Sequence, residues 1–135
     1  MAREELERLR EKIDELDDAL GVLLERRLQL ARAVGEAKAE GPVYDPARER
    51  DVVRRLQEMH PGIDPRAALS VMREVISMCR AVQQKPRVAF LGPEGSYTQA
   101  AATSALGHGV DFVPCEDPRE VILSLQRKEA DLAVV

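Results

Sequence analysis

The sequence predicts an all-α fold for residues 1–85 and a partial α/β segment for residues 86–135. Three observations lead to this division. Before Pro86, long stretches carry apolar residues at three- and four-residue spacing, which is typical of helices with one apolar face. Asp-Pro and Gly-Pro pairs bound these stretches and mark where helices begin and end. After Pro86, short apolar runs alternate with helix-length stretches in a β-α-β-α-β order, which indicates a parallel sheet.

The first predicted helix runs from Arg3 to about Ala39 and ends at Glu40-Gly41-Pro42. A helix of this length extends roughly 55 Å at about 1.5 Å per residue, more than a domain of this size can cover. A second copy of the helix is therefore the expected cover, which predicts an intertwined helical dimer. The apolar stripe, which is interrupted at Arg27, consists of Leu6, Leu9, Ile13, Leu16, Leu20, Leu23, Leu30, Val34 and Ala37.

Two further helices are predicted before Pro86. Asp45-Pro46 provides an N-cap and a proline at the first helical position, and predicts a helix to about Met59. Asp64-Pro65 repeats the signal and predicts a third helix to about Gln84. The resulting chain of three helices defines the expected first domain, residues 1–85.

The segment after Pro86 has the order of a parallel α/β unit. Strands are expected at Arg87–Leu91, Val110–Pro114 and Asp131–Val135, with helices over residues 97–106 and from Asp117-Pro118 onward. Three strands leave faces and edges without cover, so the segment resembles the opening of a larger domain.

Cations on the first helix are too far apart to meet in one chain. Arg10 and Lys38 are separated by 28 residues, or about 42 Å along the helix axis. If two copies cross antiparallel near residues 20–22, Arg10 of one chain comes level with residues 30–34 of the other. This crossing predicts a cationic site shared between chains. Arg26 and Arg27 point about 100° apart, and the pattern alone does not decide which one faces a ligand.

Composition and charge narrow the class of protein. The net charge of −4 comes from 20 basic and 24 acidic residues, which argues against a nucleic-acid surface. Cys79 and Cys115 have neither metal-ligand spacing nor a disulfide framework, so no metal is expected. No apolar run of membrane length and no signal peptide is recognised, so we expect a cytoplasmic protein without membrane contact.

Taken one at a time, the candidate site residues have ordinary explanations. Cations on a charged helix are mostly solvated, and Asp45 is accounted for as an N-cap. Cys79 occupies an apolar-face position, and Gln83 lies near a helix end. Their arrangement is more specific than their identities. The candidates are Arg10, Arg26, Arg27, Lys38, Asp45, Arg48, Glu49, Cys79 and Gln83.

The spaced motifs resemble the all-helical class of chorismate mutases over about 85 residues. The motifs are Leu9-Arg10-Glu11-Lys12-Ile13, Glu25-Arg26-Arg27, Val34-Gly35-Glu36-Ala37-Lys38, Val43-Tyr44-Asp45-Pro46-Ala47-Arg48-Glu49-Arg50 and Ile76-Ser77-Met78-Cys79-Arg80-Ala81-Val82-Gln83. The resemblance implies a homodimer of interlocked three-helix chains that converts chorismate to prephenate in phenylalanine and tyrosine biosynthesis. It also implies that each active site takes one Arg from the partner chain.

The resemblance also implies roles for the candidate residues. Arg10 from the partner and Arg26 from the same chain would hold the two carboxylates of chorismate, and Lys38 and Gln83 would donate to its ether oxygen. The remaining implied substrate contacts are Asp45 through its backbone, Arg48, Glu49 and Cys79. Cys79 stands where many members have a Ser, and a thiol is a weaker donor. A unimolecular rearrangement of this kind needs no nucleophile and no cofactor.

The C-terminal part resembles the start of prephenate dehydratase. The motifs are Val88-Ala89-Phe90-Leu91-Gly92-Pro93-Glu94-Gly95-Ser96-Tyr97-Thr98 and Ala130-Asp131-Leu132-Ala133-Val134-Val135. The Thr-Arg-Phe motif of that family does not occur before Val135, so we expect no dehydration by this chain and little contribution of residues 86–135 to mutase chemistry. Two alternatives stay open: an N-terminal fragment of a bifunctional mutase/dehydratase, and a non-catalytic helical dimer with a regulatory role.

Overall fold

A computed structural model describes residues 1–38, 40–41 and 44–135 of the chain. The first part is helical and the second part is a three-stranded sheet with two helices, which confirms the predicted fold class. The elements are α1 (Ala2–Lys38), α2 (Pro46–Met59), α3 (Pro65–Ala81), β1 (Arg87–Leu91), α4 (Tyr97–Leu106), β2 (Asp111–Cys115), α5 (Pro118–Gln126) and β3 (Leu132–Val134). The expected end of α1 at Ala39 and the Pro42 of its stop signal lie outside the described residues.

Each Asp-Pro pair of the sequence begins a helix. The side chain of Asp45 accepts a hydrogen bond from the Arg48 backbone N–H, and Asp64 and Asp117 cap α3 and α5 in the same manner. These contacts satisfy backbone donors that have no partner within the helix. The prolines follow the caps at the first helical position, where the missing N–H costs nothing.

The helix α3 ends at Ala81, three residues before the predicted Gln84. The backbone N–H groups of Gln83 and Gln84 both donate to the Arg80 carbonyl, which closes the helix in a tight turn. A residue that precedes proline is biased away from helical geometry, and the chain here approaches Lys85-Pro86. Gln83 therefore lies in the turn after α3.

The three strands are parallel, in the order β2-β1-β3, with β1 in the centre. Because the side chains of a strand alternate between faces, Val88 packs with α4 on one face and Ala89 packs with α5 on the other. Val88, Ala89 and Phe90 have no exposed surface. β2 and β3 begin one residue later than expected, and β3 ends one residue earlier.

The helical part and the α/β part meet along a seam between α3 and the C-terminal end of α4. Ser77 is completely buried there, and its hydroxyl accepts a hydrogen bond from the Gly109 N–H at 2.8 Å. A Cβ at either Gly107 or Gly109 would collide with Ser77. The two glycines thus allow the backbone to lie directly against α3.

Most of α1 has no cover within the single chain. Its apolar stripe is exposed along its length, from Leu6 at 46% to Leu30 at 68%, and Ala31 is its one buried residue among those described. α1 packs against α3 in its C-terminal part. No helix in the described part of the chain is long and apolar enough to cross a membrane.

Candidate active site

A cavity of about 540 Å³ lies where the C-terminal part of α1 meets the start of α2 and the end of α3. This volume suits a small metabolite. Its apolar wall comes from Leu30, Ala31, Val34, Val52 and Ile76. Its polar residues are Arg27, Lys38, Asp45, Arg48, Glu49, Cys79, Arg80 and Gln83.

The α1 side of the cavity is one face of the helix. Arg27 and Lys38 are 11 residues apart, which at 3.6 residues per turn brings them to within about 20° of the same direction. Arg26 and Lys38 are 12 residues apart and differ by about 120°. Arg27 therefore lines the cavity, and Arg26 is exposed and does not line it. The sequence motifs predict that Arg26 contacts the ligand, whereas Arg27 is the member of this pair that lines the cavity.

The first turn of α2 brings Asp45, Arg48 and Glu49 to the opposite side. The Asp45 carboxylate accepts a hydrogen bond from the Arg48 backbone N–H at 3.1 Å, so the Arg48 guanidinium takes no part in this contact. Glu49 is half-buried, with 23% of its side chain exposed. Pro46 has no N–H, and Asp45 accepts from the backbone N–H groups of both Arg48 and Glu49, so this side of the cavity offers mainly the charges of its side chains.

Cys79 and Gln83 close the cavity from the α3 side. Cys79 is 3% exposed and its thiol is free. Gln83 passes directly over Gly35 of α1, and a Cβ added to Gly35 would lie 3.0 Å from the Gln83 Cγ. The position of this amide therefore depends on the glycine beneath it.

The charges of the cavity favour an anion. Four cations and two carboxylates line it, an excess of 4 − 2 = 2 positive charges. Arg27, Lys38 and Arg48 form no ion pair with another described residue, whereas Arg80 pairs with Glu49 at 3.7 Å. Burial raises the pKa of Glu49, and the Arg80 charge opposes this rise. Such a cavity can hold an anionic molecule and direct donors at an oxygen on which charge develops.

Six of the eight residues assigned to the site from the sequence come together in the cavity: Lys38, Asp45, Arg48, Glu49, Cys79 and Gln83. Arg26 and Arg10 do not. Arg10 is exposed on α1, 17 residues and about 26 Å before Arg27. The resemblance gives a role to Arg26 and none to the neighbouring candidate Arg27, and Arg80 is not among the candidates. The 11-residue spacing to Lys38 identifies Arg27, and Arg80 continues the i, i+4 row of Met72 and Ile76 as a cation in an apolar position.

The fold and the site together define an all-helical part with a cationic cavity, followed by an α/β segment. The family model described as chorismate mutase type II matches residues 9–84, and the model described as prephenate dehydratase matches residues 88–135. The chain belongs to the chorismate mutase type II family.

Similar curated proteins carry both descriptions in one name. The bifunctional chorismate mutase/prephenate dehydratase of Aquifex aeolicus is 36% identical over 139 residues, which cover 98% of this chain and 38% of the relative. The protein of that name from Neisseria gonorrhoeae is 37% identical over 93% of this chain and 35% of its own length. The Escherichia coli K12 protein is 35% identical over 94% of this chain and 38% of its own length. The chain thus spans less than two fifths of these relatives' length. No solved structure gives a significant match.

Proposed function

We propose that the chain catalyses the intramolecular rearrangement of chorismate to prephenate, a Claisen rearrangement in aromatic amino acid biosynthesis. The observation that carries this proposal is the single cavity in which Arg27, Lys38, Arg48, Glu49 and Gln83 converge. Chorismate has two carboxylates, and the cavity has an excess of positive charge with three cations that no described carboxylate neutralises. The chemistry needs a held conformer and donors to the breaking C–O bond.

Each residue has a defined part in the proposal. Arg27 takes the role that the motifs had given to Arg26, and binds one substrate carboxylate as a bidentate partner. Lys38 and Gln83 donate to the ether oxygen, where negative charge grows as the bond breaks. Glu49 in its ionised form accepts a hydrogen bond from the ring hydroxyl.

Three further cavity residues support this binding. The backbone of Asp45 contacts the same hydroxyl, and Arg48 adds positive charge beside it. Cys79 forms part of the wall and contributes at most a weak donor. The proposal requires no metal and no cofactor, because the substrate rearranges within itself.

A homodimer completes the site in this proposal. An antiparallel crossing of two α1 helices near residues 20–22 brings Arg10 of the partner subunit level with residues 30–34. Leu30, Ala31 and Val34 form the middle of the α1 wall, so the second arginine would arrive between Arg27 and Lys38. The exposed apolar stripe of α1 supports such a pairing, since burial of apolar surface drives association. A cytoplasmic location stays a prediction from the sequence.

The test is loss of chorismate absorbance with the purified chain, in wild type and in a matched pair of variants. Arg27→Met should lower kcat/KM by roughly 10²- to 10³-fold, the usual effect of removing one preorganised charged contact. Arg26→Met removes the same charge one residue away and should leave turnover near wild type. The reverse pattern would return the role to Arg26. A wild-type chain without activity would favour the non-catalytic helical dimer.

The match of residues 88–135 favours a second proposal about the longer protein. We propose that residues 1–85 form the mutase domain of a bifunctional mutase/dehydratase and that residues 86–135 begin its second domain. Three relatives whose names combine the two activities support it. Sequencing of the native reading frame past Val135 tests this directly, because a dehydratase remainder should follow.

A further inference from the structure

Arg80 lies between the cavity and the α/β segment. It is in the last turn of α3, its side chain is 3% exposed, and it borders the cavity. A charge buried this deeply needs polar or charged neighbours, because the protein interior solvates a charge less well than water does. The neighbours of this guanidinium therefore indicate what it does.

Three groups surround the guanidinium. Nη2 donates a hydrogen bond to the Leu106 carbonyl at 3.0 Å. The guanidinium carbon lies 5.0 Å from the centre of the Tyr44 ring, a cation–π contact. Nη1 lies 3.7 Å from the Glu49 Oε2. Within the described residues, Nε and Nη1 have no hydrogen-bond partner.

The Leu106 carbonyl belongs to the last residue of α4. Carbonyls in the last turn of a helix have no partner inside the helix and carry the negative end of its dipole, so they attract a cation. This contact fixes one edge of the Arg80 fork from the α/β side. The other edge faces Glu49, which supplies the one carboxylate paired with Arg80 among the described residues. The ionised form of Glu49 and the buried charge of Arg80 therefore stabilise each other.

We propose that Arg80 is a positioning residue that keeps Glu49 ionised and oriented toward the cavity, and that the α/β segment holds Arg80 in place through the Leu106 carbonyl. The inference rests on the proposed function, in which ionised Glu49 accepts a hydrogen bond from the substrate hydroxyl. It changes the expectation that residues 86–135 contribute little to the mutase site. In this proposal the α/β segment acts on the site through one side chain of α3, that of Arg80.

Several charged groups act on Glu49 besides Arg80. Burial has the largest effect on the pKa of Glu49 and raises it. The Arg80 charge lowers the pKa, the Asp45 carboxylate raises it, and the Arg73 charge has the smallest effect and lowers it. Lys38 and Arg48 border the same cavity. Since Arg80 is the largest of the effects that favour the ionised form, its removal leaves burial and the Asp45 charge opposed by the smaller effect of Arg73.

The pairing of Arg80 with Glu49 predicts how kcat/KM depends on pH. Activity requires ionised Glu49, so kcat/KM falls as the pH drops through the pKa of this carboxyl in the free enzyme. Loss of the Arg80 charge raises that pKa further. The acid limb of the kcat/KM profile should then move to higher pH in Arg80→Met, with activity recovering toward alkaline pH.

The experiment uses the full chain with and without substrate. The Glu49 carboxyl is titrated by carbon NMR in wild type and in Arg80→Met, and the kcat/KM profile for chorismate is recorded for both. A higher Glu49 pKa in the variant together with a shifted acid limb is the expected result. An unchanged Glu49 pKa overturns the inference whether or not the chain turns over chorismate. A raised pKa in a chain without turnover keeps the pairing and rejects the proposed function.

Ser77→Ala is the matched control, because Ser77 is buried on the same helix and contacts the same segment without contacting Glu49. Ser77→Ala should lower stability and leave the acid limb of the kcat/KM profile at its wild-type pH. An acid limb that shifts as far in Ser77→Ala as in Arg80→Met would mean that any disturbance of the seam between α3 and α4 has this effect, and would overturn the role given to Arg80. If Arg80→Met does not fold, the double variant Arg80→Met/Glu49→Gln should fold better, since neither charge is left alone. A double variant that folds no better than Arg80→Met overturns the pairing.

Discussion

Gly35 controls where Gln83 lies. Gln83 lies outside the helix, because α3 ends at Ala81. Its side chain packs against the backbone of Gly35, which has no side chain. The Gln83 Cβ and Cγ would be 3.2 and 3.0 Å from a Cβ at position 35. Those distances are shorter than ordinary carbon–carbon contacts of about 3.5 to 4.0 Å. An alanine at position 35 must therefore displace the amide by a few tenths of an ångström.

Gly35→Ala should lower activity and leave stability near that of wild type. Alanine is favoured over glycine inside a helix by about 1 kcal/mol, which offsets the crowding against Gln83. The proposed donor is displaced, and kcat should fall about tenfold, less than the roughly 10²-fold that a 1 Å misplacement costs. Urea unfolding and chorismate turnover measure the two effects. In a Gln83→Ala background the same change should have no further effect on kcat; a full additional loss there would show that Gly35 acts by another route.

The predictability of the site from sequence differs from residue to residue. Lys38, Glu49 and Gln83 were placed by motif spacing, and the fold brings them into one cavity. Arg26 and Arg27 are adjacent, so a motif that contains both cannot distinguish them without a helical phase measured from Lys38. The spacing from Met72 and Ile76 marks Arg80 as a cation in an apolar position, but its partner is a carbonyl 26 residues later in the chain, which the sequence pattern does not reveal.

At the scale of elements, the seam between α3 and α4 depends on the absence of side chains. The Gly109 N–H donates to Ser77, and a Cβ at Gly109 would collide with backbone atoms of Ser77. Backbone cannot rotate away as a flexible side chain can, so the helix or the loop must shift. The seam is therefore sensitive to a single methyl group.

Gly109→Ala should lower the free energy of unfolding by about 1–3 kcal/mol, the range for overpacking a closely packed contact. Gly62→Ala is the control, since a Cβ at Gly62 meets nothing within 4 Å. Urea unfolding of the two variants and wild type makes the comparison. Equal stability of Gly109→Ala and Gly62→Ala would mean that the seam yields without cost.

Helix starts were predictable from sequence because the capping contacts are local. Asp45, Asp64 and Asp117 each accept from a backbone N–H two or three residues later, so the signal and its partner lie in one short window. The end of α3 is not determined within such a window. Its last residues depend on Pro86 ahead and on the contact of Gln83 with Gly35 from α1.

At the scale of the whole molecule, α1 presents more apolar surface than its own chain covers. Leu16 and Leu20 are 65% and 56% exposed in its middle, near the expected crossing. Nothing lies within 4 Å of a Cβ at Gly21 in the single chain, so the reason for this glycine is not found within one copy. Sequence periodicity predicts that a second copy covers this region, and mixed dimers test that prediction.

Arg10→Ala and Lys38→Ala homodimers should both be nearly inactive if each site takes Arg10 from the partner subunit. In a mixed dimer, one site carries both lesions and the other has an intact Lys38 and an intact partner arginine. Co-refolding of equal amounts should restore about a quarter of wild-type activity, because about half the dimers are mixed and each has one good site of two. Turnover after co-refolding is the measurement. Confirmed heterodimers without recovery would mean that Arg10 serves its own chain or no site.

The two-sided position of α3 constrains how this protein can vary. Ile76 and Cys79 border the cavity, Ser77 meets the α/β segment, and Arg80 does both. A chain that held only the helical part would have no α4 beside positions 77 and 80, and we expect those positions to tolerate more change there. Where an α/β segment follows, we expect a change at position 80 to need a matching change around position 49 or at the end of α4. Residues of α3 are therefore expected to vary together with the residues of the α/β segment that they contact.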